Sequence, residues 1–99
     1  MVTIWGWDPE KDAKNRTKHK LPLEVGRLVL DDDPLALSVP DPHPDGDRWR
    51  TIGKVQGVTT LFVVHTEPVK DEDDGEEYGR IISVRKATAH EREAYENGP

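Results

Sequence analysis

The chain has 99 residues, no cysteine and a formal net charge of −6, with 33% of its residues hydrophobic and 34% charged. That length predicts one small domain (1–99) with a thin core, and the missing cysteines exclude a disulfide framework and a thiolate zinc site. No apolar run approaches transmembrane length and no signal-peptide pattern opens the chain, so a cytoplasmic protein without membrane contact is expected.

Thr3-Ile4-Trp5-Gly6-Trp7 alternates and predicts a short strand. Asp8-Pro9 supplies an N-cap and a proline for the first helical position, predicting a helix over 9–20. That helix is polar almost all round, with Ala13, Thr17 and Leu21 as its candidate buried stripe. A second helix is predicted over 22–30, burying Leu23, Val25, Leu28 and Val29; Gly26 weakens it. Leu35 to Val39 predicts a strand.

The loop Pro40-Asp41-Pro42-His43-Pro44-Asp45-Gly46-Asp47 is dense in turn residues. An EF-hand pattern fails there at His43 and at Ile52, so no metal is expected. Strands follow over 48–55 and 58–67, joined by a tight Gln56-Gly57 turn. Leu61-Phe62-Val63-Val64 is apolar without alternation, which predicts a central strand covered on both faces. Residues 68–78 form an acidic hairpin loop holding Asp71, Glu72, Asp73, Asp74, Glu76 and Glu77; without it the chain is close to neutral, so a basic surface elsewhere is allowed. The loop reads as solvated, or as a phosphate mimic for a basic partner. A last strand over 79–87 runs into the Thr88–Glu91 capping box of a final helix that Gly98 ends. The order β-α-α-β-β-β-β-α predicts an α+β fold with an antiparallel sheet of four to five strands, two N-terminal helices and one C-terminal helix.

Arginines punctuate these strands. A turn at Gln56-Gly57 that pairs Val55 with Val58 places Arg48 opposite His65. Pairing Glu67 with Arg80 places His65 opposite Ile82. On that register Arg48, Arg50, His65, Glu67 and Arg80 share one face at one end of the sheet, and Arg85 lies on the other face near Trp49 and Phe62. Such a cluster serves either of two ends. It forms cross-strand salt bridges around a half-buried histidine, or it holds a phosphate. A ribonuclease needs no metal or other cofactor if it aligns the ribose 2′-hydroxyl with the adjacent phosphorus, supplies a base and an acid, and holds the phosphate with cations. His65 or Glu67 would be the base, and Arg48, Arg50 and Arg80 would hold the phosphate.

Over nearly its whole length the sequence resembles the BrnT-type toxins of bacterial type II toxin–antitoxin systems. The landmarks are Trp7-Asp8-Pro9 with Lys11, Asn15 with Lys18-His19, Leu23-Glu24 and Asp33-Pro34. Further on come Arg48-Trp49 with Thr51-Ile52-Gly53, His65-Thr66-Glu67, Arg80-Ile81-Ile82-Ser83, Arg85-Lys86-Ala87-Thr88, Glu91 and Tyr95. The resemblance implies a RelE-like fold and an endoribonuclease that inhibits translation. It favours the functional reading of the cluster, with His65, Glu67, Arg80 and Arg48 as the expected catalytic set and Arg50, Arg85, Lys86, Lys18 and His19 expected to bind RNA. It also implies a BrnA-type antitoxin, in a 2:2 heterotetramer that reaches promoter DNA only through the antitoxin. Pro68 stands where many members carry arginine, and the acidic loop is longer than in compact members. Both departures support an alternative expectation, a catalytically weak antitoxin-binding subunit of a promoter-repressing complex.

Overall fold

Residues 2–98 are described by the computed structural model. Strand β1 (Thr3–Gly6) leads into α1 (Pro9–His19), where Asp8 accepts the Glu10 N–H at 2.9 Å as N-cap. Lys20 closes α1 in a left-handed conformation at φ 63°, donating its N–H to the Arg16 carbonyl. Helix α2 (Glu24–Asp32) begins later than predicted; its N-cap Leu23 has no capping side chain, and Asp12 of α1 accepts the Leu23 N–H at 2.8 Å instead. Then come β2 (Leu37–Pro40), β3 (Arg48–Val55), β4 (Thr59–Thr66), a two-residue β5 (Val69–Lys70), β6 (Glu77–Lys86) and α3 (Ala89–Asn97). The Thr88–Glu91 capping box is formed as the sequence predicts.

The fold is α+β with two N-terminal helices and one C-terminal helix, as expected. The sheet runs in the order β1-β6-β4-β3-β2, with β5 also on β6, and it is mixed: β1 lies parallel to β6 while the other pairs are antiparallel. Hairpins fix the direction of β3, β4 and β6, whereas β1 is joined to β6 by no turn and is free to pair either way. Strand β5 lies inside the predicted acidic loop and converts its stem into a hairpin whose tip, Asp71 to Glu76, is exposed.

The core is thin, as composition predicts. Leu23 and Val29 of α2 meet Leu61 and Val63 of β4 and Ile81 and Val84 of β6. Gly26 is what lets α2 approach so closely, because a Cβ there would stand 2.8 Å from Val84 Cγ2. The glycine costs helix propensity of about 1 kcal/mol and permits the burial that offsets it. Gly53 does the same on β3, where a Cβ would stand 2.6 Å from Val29 Cγ1.

Helix α1 departs from its predicted stripe. Ala13 and Thr17 are exposed, and Asn15 is the buried residue. Its side-chain amide extends the sheet as a surrogate strand: Val84 N–H donates to Asn15 Oδ1 at 3.1 Å, and Asn15 Nδ2 donates to the Val84 carbonyl at 2.9 Å and the Leu21 carbonyl at 2.8 Å. Strand β1 stops opposite Arg80, so this amide closes the part of the β6 edge that no strand covers.

One face of the sheet is therefore packed against helices. On the other, α3 crosses only one end, where Thr60 and Ala87 are buried beneath it and Lys54 lies 5.7 Å from the Tyr95 ring centre. Strand β4 is central but covered on one side: Leu61 and Val63 are buried, while Phe62 and Val64 are half-buried on the open face. The expectation of a strand covered on both faces is thus corrected.

Candidate functional site: an arginine-lined open sheet face

Two local features decide which side chains share a face. The β3–β4 connection pairs Val55 with Thr59, one residue beyond the predicted partner, so Arg48 lies opposite Thr66, Trp49 opposite His65 and Arg50 opposite Val64. A one-residue slip turns every side chain to the other face. The β4–β6 pairing follows the predicted register from Leu61–Lys86 to Val64–Ser83, then shifts at a bulge so that His65 faces Ile81. The extra residue, Ile82, turns Arg80 onto the same face as Arg85, although five positions separate them.

The outcome regroups the expected cluster. Arg48, Arg50, Arg80 and Arg85 share the open face. The predicted placement of Arg85 on the opposite face is corrected, although it does sit against Phe62. His65 projects into the helix-covered side and is only 6% exposed. Its Nδ1 lies 2.8 Å from the Thr66 carbonyl, which can only accept, so Nδ1 carries the proton. Nε2, 2.6 Å from Thr51 Oγ1, then accepts from that hydroxyl, and Ser38 Oγ extends the chain at 2.7 Å. The Trp5 ring packs edge-on against the imidazole at 5.2 Å between centres. Burial lowers the His65 pKa, partly opposed by the Thr66 hydrogen bond. With both nitrogens committed inside the protein, His65 does not face the open sheet, and the expectation that it joins the arginines there is corrected.

The consequence for stability has a definite sign. A base whose folded pKa is lowered leaves the unfolded state binding more protons below pH 6.5, so stability falls as pH drops from 6.5 towards the folded value. The lowered carboxyl pKa values of Asp33, Asp41 and Glu91 act at more acidic pH, below their ordinary values of 3.8 to 4.5. Melting curves at pH 7.5 and 5.5 are expected to show a fall for the native chain that is clearly smaller in His65→Gln. Equal falls in the two proteins would mean that His65 is not the group titrating.

The arginines differ in how far they are already engaged. Arg50 Nε donates to Asp41 Oδ2 at 2.8 Å, and this bond holds the Asp41 carboxyl below the usual range. Arg85 is bidentate to Glu91, at 2.7 Å and 2.9 Å, with its guanidinium 4.0 Å from the Phe62 ring centre. Arg48 has a loose 3.9 Å contact with Asp47, and its Nε is buried without a hydrogen-bond partner. Arg80 is exposed, and among the described residues no carboxylate pairs with its guanidinium. Its backbone N–H donates to Thr66 Oγ1 at 2.9 Å, which pins this stretch of β6 to β4.

Arg80 lines a hollow of about 570 Å³ with Gly46, Asp47, Thr66, Glu67, Val69, Tyr78 and Gly79. Glu67 is exposed just beyond β4, anchored by its N–H to the Asp47 carbonyl. At the far end of β6, Lys18 and Lys86 are exposed and His19 ends α1; slight burial, then the charges of Lys18 and Arg85, lower the His19 pKa. Of the RNA-binding residues expected from sequence, Lys86, Lys18 and His19 therefore lie with Arg85 at the end of the strand remote from Arg80, whereas Arg50 lies mid-sheet opposite Val64.

Sequence reasoning missed Thr66, Asp41 and Glu91 as partners of these arginines. Thr66 sits between His65 and Glu67 and was legible as the alternate-face residue of that strand. Asp41 and Glu91 reach their partners through a loop and a helix whose placement no local pattern gives.

A larger hollow of about 780 Å³ lies between the end of α2, the β3–β4 turn and α3. There the Tyr95 hydroxyl and the Lys54 N–H both donate to Asp33 Oδ2, and the first of these pushes the Tyr95 pKa up to about 12. Those polar groups satisfy each other, whereas the smaller hollow holds an uncommitted guanidinium, so the smaller one is the better candidate for an anionic ligand. Among the described residues, His43, Asp45 and Asp47 bring potential metal-ligand atoms within 4.8 Å of one another. Both carboxylates are exposed and His43 Nδ1 accepts the Asp45 N–H, which is ordinary turn chemistry.

A sequence profile described as "Ribonuclease toxin, BrnT, of type II toxin-antitoxin system" matches residues 7–91. The crystal structure of the Brucella abortus ribonuclease toxin BrnT is similar in fold, with a TM-score of 0.62 and 24% identity over 89% of this chain and 99% of that one. A comparison with curated proteins finds no match.

Proposed function

The chain belongs to the family of BrnT ribonuclease toxins of type II toxin–antitoxin systems, and from that premise we propose that it cleaves RNA at the Arg80 hollow to block translation. The observation that carries this reading is an exposed Arg80 guanidinium, with no carboxylate partner among the described residues, in one hollow with the exposed Glu67. Arg80 and Arg48 hold the scissile phosphate as charge builds on its oxygens. Glu67 takes the proton of the ribose 2′-hydroxyl; the 2′-oxygen bonds to phosphorus; the bond from phosphorus to the 5′-oxygen breaks; and the departing oxygen takes a proton from water in the open hollow. His65 acts through its neighbour, fixing the Thr66 carbonyl while the Thr66 hydroxyl holds the Arg80 backbone. Pro68, between β4 and β5, stands where many relatives carry arginine, and Arg80 supplies the cation in its place.

Family membership implies an antitoxin partner. We read that partner as BrnA-type, binding in a 2:2 complex in the cytoplasm that contacts promoter DNA only through the antitoxin. No helix among the described residues is long and apolar enough to cross a membrane.

Incubating the purified chain with single-stranded RNA and a chelator tests the chemistry. Fragments ending in 2′,3′-cyclic phosphate and 5′-hydroxyl are expected, and a 2′-deoxy substitution at the cleaved nucleotide should prevent their formation. A second reading, the antitoxin-binding subunit of low activity, is favoured by the internal pairing of Arg50 and Arg85. RNA left intact by a chain that still binds its antitoxin would select it.

A further inference from the structure

Arg85 differs from the other arginines of the open face because its geometry is fixed from two sides. It lies directly opposite Phe62 across the β4–β6 ladder, its guanidinium carbon 4.0 Å from the ring centre. Nη1 and Nη2 both bond to Glu91, and Nη1 also donates to the Lys86 carbonyl at 3.2 Å. Glu91 is itself immobilised: its Oε1 accepts the Thr88 N–H at 2.8 Å, and its own N–H donates to Thr88 Oγ1, as the capping box of α3 requires. The guanidinium is thus a rigid plane backed by an aromatic ring.

The same contacts make it a poor phosphate clamp. Glu91 neutralises its charge at contact distance, so a phosphate docking there would meet a carboxylate as well as the cation. About a third of the Arg85 side chain remains exposed (32%), and a guanidinium backed on one side by a ring has a second flat, polarisable face to offer. Half-buried Val64 and Ile82 lie further along the same stretch of sheet. Unpaired bases stack on arginine planes as they do on aromatic rings, and such stacking tolerates any base. Arg80, by contrast, lies roughly 16 Å along β6 with its charge free.

We propose that Arg85, layered on Phe62 and clamped by Glu91, is a nucleobase-stacking platform that holds an unpaired base of the RNA a few nucleotides from the phosphate at Arg80. This assignment rests on the RNA reading of the open face and divides its labour: charge at one end, base stacking at the other. Glu91 is a positioning residue for the platform.

The test uses the full chain and single-stranded 2′-O-methyl oligoribonucleotides, which bind without being cleaved, in a series with one abasic nucleotide placed at each position. For the native chain, one abasic position is expected to lower affinity about tenfold. Arg85→Lys keeps the charge but loses the plane. It is expected to abolish that penalty while leaving the dependence of affinity on salt unchanged. If Arg85 contacts phosphate instead, Arg85→Ala reduces the salt slope by about 0.7 and the abasic penalty persists in Arg85→Lys, which overturns the platform and leaves the RNA reading standing. Absence of binding by the native chain would remove the RNA reading and the platform with it. Should Arg85→Lys fail to fold, Phe62→Leu removes the supporting ring at similar volume and is expected to erase the same penalty; persistence of the penalty there also counts against the stack.

Discussion

Replacing Arg80 with alanine is expected to lower the rate of RNA cleavage by about 10²- to 10³-fold while leaving the fold intact. The size follows from the role. Removing one pre-positioned donor from developing charge costs this much in other electrostatically catalysed reactions, and Arg80 is the exposed arginine of this face with no carboxylate partner among the described residues. The fold should survive because the strand is held there by the backbone: the Arg80 N–H bonds to Thr66 Oγ1, and Gly6 pairs with Arg80 from β1, neither of which needs the side chain. Unchanged melting, within about 0.5 kcal/mol, is the matching control. Arg80→Lys retains a point charge without the planar fork and should fall between the two. Cleavage and growth arrest undiminished in Arg80→Ala, at equal expression, would take the chemistry away from this hollow.

The largest loss of stability is expected from Asn15→Leu. Leucine matches asparagine roughly in size and removes its polar atoms. The Val84 N–H and carbonyl then lose their partner in a place that Asn15, 5% exposed, has sealed from water, and the part-buried Leu21 carbonyl loses its partner as well. Each stranded buried group costs about 1–3 kcal/mol, so a total on the order of 3–5 kcal/mol is expected. A domain of this size has about 5–15 kcal/mol to lose. At about 4–8 °C per kcal/mol, melting should fall by at least about 12 °C in a thermal scan followed by circular dichroism. Asn15→Asp separates hydrogen bonding from shape. It can still accept from Val84 N–H but presents carboxylate oxygens to two carbonyls, so it should be as damaging near pH 7 and partly relieved by acid, where the protonated carboxyl can donate. A loss under about 1 kcal/mol in Asn15→Leu would show that the β6 edge does not depend on this amide.

Both outcomes turn on residues whose roles a linear reading only half reveals. Asn15 sits in a polar helix, and its tripeptide Asn15-Arg16-Thr17 even fits a glycosylation sequon. Only the meeting of α1 with the bare edge of β6 makes it structural. Arg80 was identifiable as a cation placed where an apolar residue would serve a core better. Its companions on the face were not, because two one-residue events set them: a β3–β4 register one step beyond the predicted pairing, and a bulge at Ile82. Alternation carries an error of one residue forward as a reversal of every side chain beyond it. The first event exchanged His65 for Thr66 beside Arg48. The second brought Arg80 and Arg85 onto one side.

By itself the sequence determined what local chemistry governs: the Asp8 and Thr88 caps, the strands bearing the arginines, the α+β class and a thin core to which the second helix and the Leu61–Val64 strand contribute. Caps, periodicity and composition act within a few residues, so no partner across the chain is needed to read them. Tertiary structure alone decided the parallel seat of β1, the burial of Asn15 and His65, and the division of the arginines into committed and free. Those depend on which carboxylate, carbonyl or ring arrives from a distant segment, and the desolvation of a charge or amide is settled only once that neighbour is in place.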